Sequence, residues 1–500
     1  MPVPRRLLLA LIAGVALSLA FEPVAAPWLI PFALAARLLS LRGLRPRTAL
    51  APGACFGVGF FGLHVWWMHA VGLGAWAALA AALTLFLTAL GPLDAVLLRG
   101  RRWPLWTAVS WVAVEWARST WPFGGMPWGR LAFAVVDTPL APALPYLGTA
   151  GVGFVLAMLG ALLAALAVLP EARRRTAVGL VLLCLGLSIP VWRPWHGHTT
   201  GRIDVAAVQG NVPGDGNVLD NYRAVTASHV ALTTQLAGDV ASGKRPRPAF
   251  VLWPENSTAT NPITDPQTNA GVWSAARAVG VPVVVGGLPE APDHEHVLNQ
   301  GIVWDPVTGP GDRYTKHHPV PFGEYLPLRW LLGSDNFDGL RSLDYDMVAG
   351  TRRTPLIVAG TRVADAICFD IAYDDVVDSQ VRNGGRLLTV QTSNASFIGT
   401  PQVAQQFAIT RVQAMTTGRY AVVASLNGLS GVIAPDGRVV ATAPQRTRAV
   451  LDQEVSLISG TTPAVWLGTR PGQVAAGLVL ARLACTPMML WRRRKTRREY

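Results

Sequence analysis

Residues 73–98 read LGAWAALAAALTLFLTALGPLDAVLL. Asp94 is the one charged residue in that run; the rest is apolar, small or threonine. A helix needs about 20 mostly apolar residues to cross a bilayer, so this stretch predicts a spanning helix. Working outward, six more candidate spans lie before residue 193, roughly 7–21, 24–41, 49–69, 103–117, 146–169 and 176–192. One more lies near the end, roughly 473–491, and none lies between 193 and 472. The predicted fold class is therefore a polytopic α-helical membrane block over 1–192, about seven helices, interrupted by a non-membrane domain over 193–472. A closing helix at 473–491 and a basic tail at 492–500 follow. The first span follows Arg5 and Arg6, and a cleaved signal peptide competes for it. Retention is expected, because another apolar span follows at once and no small-x-small site precedes a soluble segment.

Composition agrees. Of 500 residues, 51% are hydrophobic and 15% charged, against about 25% charged in ordinary soluble domains. This excludes a disordered chain and argues against a wholly soluble one. Loops facing the cytoplasm carry an excess of Lys and Arg. With the N-terminus inside, the inner segments hold Arg5, Arg6, Arg37, Arg42, Arg45, Arg47, Arg99, Arg101, Arg102 and Arg173 to Arg175. The tail adds Arg492, Arg493, Arg494, Lys495, Arg497 and Arg498, whereas the outer loops before 193 hold only Arg118 and Arg130. The 193–472 domain is thus expected outside the cytoplasm, with both termini inside. These inner charges exceed the whole net charge of +13. The basic character belongs to membrane orientation, and no nucleic-acid partner is expected.

The outer segment alternates short β-branched runs with helical patterns. Ile203–Gln209, Phe250–Trp253, Val281–Gly286, Gly301–Trp304, Val363–Phe369, Leu387–Gln391, Ala421–Leu426 and Gly431–Ala434 read as strands. Tyr222–Ala241, Asn269–Val279, Asp375–Asn383 and Gln402–Thr417 read as helices. The alternation predicts a layered α/β domain.

Three residues in it stand out. Cys368 is the only cysteine between 193 and 472 and ends a predicted strand in AICFD. A nucleophile there competes with a buried structural thiol. The chain has three lysines, Lys244, Lys316 and Lys495, in a sequence that otherwise uses arginine. Lys316 sits in RYTKHHPVPFGEYLP, where a compact ammonium can approach an oxyanion or carboxylate as a point charge. Glu255 follows a strand in FVLWPENS and could serve as a general base; a turn carboxylate is the bland reading. Glu324, eight residues beyond Lys316, could hold the lysine; a simple surface charge is the bland reading. His317 and His318 leave a Cys-His dyad open. His294 and His296 read as loop histidines, because no further spacing completes a zinc site. No Walker loop or dinucleotide fingerprint occurs, so no cofactor and no metal is expected.

Taken together, WPE at 253–255, YTKHHPVPFGEYLP at 314–327 and ICFD at 367–370 resemble the nitrilase superfamily. The seven-plus-one membrane plan narrows the resemblance to its membrane-embedded branch, the apolipoprotein N-acyltransferases. VQGNVP at 208–213, VEWARSTWPFGGMPWG at 114–129 and the region from TSNASF at 392–397 through NGLSGVIAPDGRV add to it. The resemblance implies an αββα sandwich. It also implies a Glu-Lys-Cys triad in which Glu255 is the base, Lys316 the oxyanion stabiliser and Cys368 the nucleophile. Glu324 matches a supporting glutamate, and a backbone N–H near Phe369 is expected to assist the oxyanion. Asp370 stands where the family commonly has Glu; Ser393, Asn394, Ala395, Ser396 and Phe397 replace a TNDAWFG pattern; and 211–222 lack a Trp often found there.

The function implied is N-acylation of the S-diacylglyceryl cysteine that begins an apolipoprotein, the last step of bacterial lipoprotein maturation. A phospholipid is the expected acyl donor and a Cys368 thioester the expected intermediate, in the cell membrane. The segment Trp121–Trp128 is expected either to line the lipid approach or to form an interfacial aromatic belt. A mobile loop could keep water from the thioester; the sequence does not identify one, although 335–350 is a candidate. Two rivals remain: a membrane-tethered nitrilase-type amidase or hydrolase using water as acceptor, and a transporter or scaffold with an inactive outer domain.

Overall fold

The computed structural model describes residues 1–168, 173–213, 218–329 and 346–496. Most of the candidate 335–350 loop, and the end of the basic tail, 497–500, lie outside the described residues.

Each expected apolar span carries a helix. They are α1 (Val3–Ser18), α2 (Leu29–Leu41), α3 (Leu50–His64), α4 (Leu73–Leu97), α5 (Trp103–Arg118), α6 (Leu144–Val168), α7 (Arg173–Trp192) and, at the far end of the chain, a helix over Arg470–Thr496. Among the described residues, three segments are long and apolar enough to cross a bilayer: Leu73–Leu97, Ala141–Val168 and Arg173–Trp192. The first span is part of the bundle. Gly14 of α1 and Gly59 of α3 bring the two backbones together so closely that a Cβ on Gly14 would meet the Phe56 carbonyl at 2.2 Å. The Arg470–Thr496 helix packs Ala475 and Val479 against Val112 and Ala113 of α5, joining the chain's end to its first block.

Two arginines assigned to loops by the charge pattern are not loop charges. Arg37 lies inside α2, where its Nη1 meets Asp94 of α4 at 2.7 Å, with both side chains buried. Arg118 ends α5, buried, and donates to the carbonyls of Met126 and Trp128. A buried guanidinium needs a carboxylate or carbonyls to replace its lost hydration; Arg118 has two carbonyls, and Arg37 has one carboxylate while its Nε and Nη2 have no partner.

The region after the first seven helices holds two six-stranded sheets. The strands are β1 (His198–Gln209), β2 (Phe250–Leu252), β3 (Val283–Gly287), β4 (Gln300–Asp305), β5 (Gly309–Thr315), β6 (Leu356–Val358), β7 (Thr361–Ile367), β8 (Leu387–Thr392), β9 (Ala421–Ser425), β10 (Ser430–Ile433), β11 (Val439–Ala443) and β12 (Ala449–Ser459). The sheet orders are β12-β1-β2-β3-β4-β5 and β11-β10-β9-β8-β7-β6. In each, three neighbouring strands run parallel (β1-β2-β3 and β7-β8-β9) and the outer ones are antiparallel.

Side-chain alternation builds the layers. Val205 and Ala207 of β1 face the core between the sheets, with Phe250, Leu252, Val390 and Val422. Ala206 and Val208 face outward onto α8 (Tyr222–Ala241) and α9 (Pro266–Val279) through Leu232, Leu236 and Val272. On the other side α10 (Asp374–Arg382) and α11 (Pro401–Thr417) cover the second sheet with Val377, Val381, Ile409 and Val412. The short α12 (Pro463–Leu467) leads into α13 (Arg470–Thr496). The result is a four-layer α-β-β-α sandwich. Glu255, Lys316 and Cys368 each follow the carboxyl end of a strand, β2, β5 and β7, on one rim. Open α/β sheets generally place their sites at that end.

Candidate active site

Cys368 is the first residue beyond β7 and opens a short 3-10 turn, Cys368–Ala372. Its φ is +52°, a left-handed conformation that a non-glycine residue adopts at a cost of order 1 kcal/mol. The turn lifts the half-buried thiol out of the strand line. Thr392, at the end of β8, turns its hydroxyl to Asn394 Oδ1 at 3.1 Å and accepts from Gln406 Nε2 at 3.1 Å.

Lys316 is fully buried and cationic. Its Nζ donates to Glu255 Oε1 at 3.0 Å and to Glu324 Oε1 at 2.7 Å. Burial works against the ammonium, but Glu255 and then Glu324 outweigh it and hold Lys316 well above the ordinary lysine range. Burial raises Glu324, opposed by Lys316 and reinforced by Glu255. Burial, then the Glu255 carboxylate, push the Cys368 thiol up to about 12, with Lys316 pulling the other way. The resting thiol is therefore neutral. It needs a base at the moment it attacks.

The carboxylates are fixed from several sides. Glu255 Oε2 accepts from the Ser393 N–H at 2.9 Å, and Oε1 accepts from Asn299 Nδ2 at 2.8 Å. Asn299 Nδ2 also reaches Glu324 Oε1 at 3.3 Å, and Glu324 Oε2 accepts from the Val320 N–H at 2.8 Å. Gln391 Nε2 donates to the Trp253 carbonyl at 2.7 Å, tying β8 to the segment before Glu255.

Asp370 is buried and bridges the cysteine turn to the lysine segment. It accepts from Tyr314 Oη at 2.8 Å and from the N–H groups of His317 and His318 at 3.1 and 2.8 Å. The shorter side chain thus reaches three donors. Phe369 lies in the turn, its ring against Trp128 at 6.2 Å and Tyr373 at 5.1 Å.

The histidines face elsewhere. His317 Nδ1 meets Tyr314 Oη at 3.1 Å; His318 stacks on Tyr373 at 3.7 Å and points Nε2 to Asp375 at 3.3 Å. Neither makes a described contact with the thiol, so a Cys-His dyad has no geometric support. His294 and His296 are bound to Glu290 and Asp293 in an exposed loop. Among the described residues no cluster could hold a metal.

The segment that departs from the family pattern lies at the site. Asn394 adopts φ +55° and donates to Gln402 and Gln406 at 3.0 and 2.8 Å, while Phe397 sets its edge against Trp67 at 5.2 Å. The Trp121–Trp128 stretch divides: Trp121 is 68% exposed, whereas Trp128 is buried and donates to Gln405 at 2.7 Å. Asn299 escaped the sequence reading; it precedes β4 in VLNQG, where an asparagine reads as an ordinary turn residue.

Comparison with known proteins covers nearly the whole chain. Residues 13–162 match the family described as Apolipoprotein N-acyltransferase N-terminal domain, and residues 204–461 match Carbon-nitrogen hydrolase. An apolipoprotein N-acyltransferase of Mycolicibacterium smegmatis is 34% identical over 518 residues, covering 97% of this chain and 86% of the relative. One of Pseudomonas putida is 30% identical, with 95% of each chain covered, and one of Methylococcus capsulatus is 31% identical, again with 95% of each. The match to residues 13–162 weighs against a plain hydrolase, whose chemistry would need only the second region.

Proposed function

The chain belongs to the apolipoprotein N-acyltransferase family, enzymes that acylate lipoproteins, and from that premise we propose how its own residues carry the reaction. Glu255 is the general base, Cys368 the nucleophile and Lys316 the oxyanion stabiliser. The observation that carries this reading is one buried ammonium between two carboxylates, with the thiol of a left-handed strand-end residue in their field.

A phospholipid ester is the donor. Glu255 takes the Cys368 proton as sulfur attacks the acyl carbonyl, and Lys316 with the Phe369 N–H stabilises the oxyanion. Collapse breaks the ester C–O bond; the lysophospholipid oxygen takes its proton from Glu255, and a thioester remains. The neutral α-amine of the S-diacylglyceryl cysteine attacks that thioester and gives up a proton through Glu255. The C–S bond breaks and the thiol reforms, leaving an amide. Glu324 holds Lys316, and Asp370 holds the cysteine turn against the lysine segment. The two steps form a ping-pong cycle.

The membrane block fits both substrates. Each buried CH₂ of an acyl chain is worth about 0.8 kcal/mol, so neither substrate leaves the bilayer readily for a soluble site. The inner excess of basic residues supports eight spans, seven plus one, with the 193–472 domain outside and both termini inside. On this reading the enzyme works in the cell membrane.

The test uses a phospholipid labelled in its acyl chain and a diacylglyceryl peptide. The parent protein is expected to form labelled amide, and Cys368→Ser none, while the variant still inserts. Labelled amide from Cys368→Ser at the parental rate would overturn the nucleophile assignment; labelled free acid in place of amide would favour hydrolysis.

A further inference from the structure

The turn that carries Cys368 is not held by its own domain alone. Six residues after the cysteine, Asp374 opens α10. Its Oδ2 accepts from Arg130 Nη1 at 2.8 Å and from Thr149 Oγ1 at 2.7 Å, and both donors belong to the membrane block. Arg130 and Thr149 are also hydrogen-bonded to each other. Tyr373, between the turn and α10, donates its phenol to the Gly125 carbonyl at 2.7 Å. From its own domain, Asp374 Oδ1 accepts from Gln413 Nε2 at 3.1 Å.

The Arg130 side is rigid in turn. The Leu131 N–H donates to Glu115 Oε1 at 2.9 Å, and Arg118 Nη1 donates to the Met126 and Trp128 carbonyls at 2.8 and 2.7 Å. The Arg130–Asp374 pair is about nine-tenths buried on both partners. A buried charge loses far more than an exposed one when its partner goes, so the pair resists small displacements. A second ion pair, Arg411–Asp137, also joins the block to the outer domain. It is partly exposed, and among the described hydrogen bonds Arg411 reaches Asp137 and the Gly437 carbonyl but no residue of the cysteine turn.

We infer that Arg130 is a positioning residue for Cys368, acting through Asp374, so that the membrane block completes the geometry of the nucleophile turn. This rests on Cys368 being the acyl carrier.

The test uses the full chain in detergent or nanodiscs. Arg130→Gln, Asp374→Asn, the double variant and Arg411→Gln are compared with the parent. Two rates are read: alkylation of Cys368 by iodoacetamide between pH 7 and 10, and single-turnover acylation of the protein by phospholipid. The alkylation arm needs no acyl donor, so it reports on the clasp even if the carrier assignment fails. The expected result is a drop of about tenfold or more in acylation at saturating donor for Arg130→Gln and for Asp374→Asn. The half-saturating donor level stays within twofold, and the alkylation profile shifts. The double variant is no worse than either single one, because the pair acts as a unit, and it carries no orphaned buried charge should a single variant fail to fold. Arg411→Gln leaves both rates at the parental level. Parental rates in a folded double variant, or an equal loss in Arg411→Gln, would overturn the inference: the first removes any role for the clasp, and the second reduces it to general docking.

Discussion

At the scale of single residues, the account turns on a thiol that is neutral at rest. Burial and the Glu255 anion both raise Cys368, to about 12, and Lys316 lowers it. Glu255→Gln should therefore have two opposite effects. Transfer should fall by about 10² to 10⁴, the usual worth of a general base, while iodoacetamide alkylates Cys368 faster at pH 9 than in the parent, because an anion beside the sulfur is gone. Slower alkylation would contradict the assigned field. Lys316→Ala should act the other way on the thiol and lower transfer by roughly 10²-fold or more, as when an oxyanion donor is lost. The three residues were legible in the sequence for distinct reasons. Cys368 is the single cysteine of its domain, Lys316 is one of three lysines, and Glu255 and Cys368 follow strands that their composition reveals. Of the partners, Glu324, eight residues from Lys316, was legible as well; the long-range ones were not. Tyr314 and Asp370 are 56 positions apart, and Arg130 and Asp374 are 244 apart. Such pairs leave no local pattern.

At the scale of elements, strands buried on both faces announced themselves. β3 and β9 are β-branched or small throughout, β8 (LLTVQT) is mostly aliphatic or β-branched, and every residue in each is buried. The strands that escaped, β5, β6, β11 and β12, are short or half exposed. GPGDRYT reads as a turn and AVLDQEVSLIS as a polar run, until pairing with β4 and β1 supplies the hydrogen bonds. The inter-sheet core also holds an unusual acid. Asp365 of β7 is fully buried; its Oδ1 accepts from Thr389 at 2.7 Å and its Oδ2 has no partner. Burial pushes it up to about 7. Its folded value lies above its unfolded one, so between about pH 4 and pH 7 the folded state holds more protons. This contribution to stability is complete below that window and is lost as pH rises through it. Asp365→Asn should therefore gain melting temperature on the parent between pH 5 and pH 8. A gap that stays constant over that range would contradict the reading.

At the scale of the whole molecule, the two parts of the chain share one site. The sandwich domain supplies Glu255, Lys316 and Cys368, and the N-terminal helical block closes on the cysteine turn through Gly125, Trp128, Arg130 and Thr149. The hydropathy pattern located the apolar helices, but not this closure, which exists only once both parts have folded. Orientation is checked with Cys55, Cys184, Cys368 and Cys485 replaced by alanine. A cysteine at Val307, 82% exposed on the β4–β5 turn, should react with a membrane-impermeant maleimide on intact spheroplasts. One at Arg174 should react only after permeabilisation; the reverse pattern would invert the topology. The most direct measurement of the central claim is intact and peptide mass spectrometry of the purified protein after exposure to phospholipid without acceptor. The account predicts one acyl mass on the peptide containing Cys368, released on adding a diacylglyceryl peptide. An acyl mass on another residue, or turnover with no acyl-protein at any time, would contradict it.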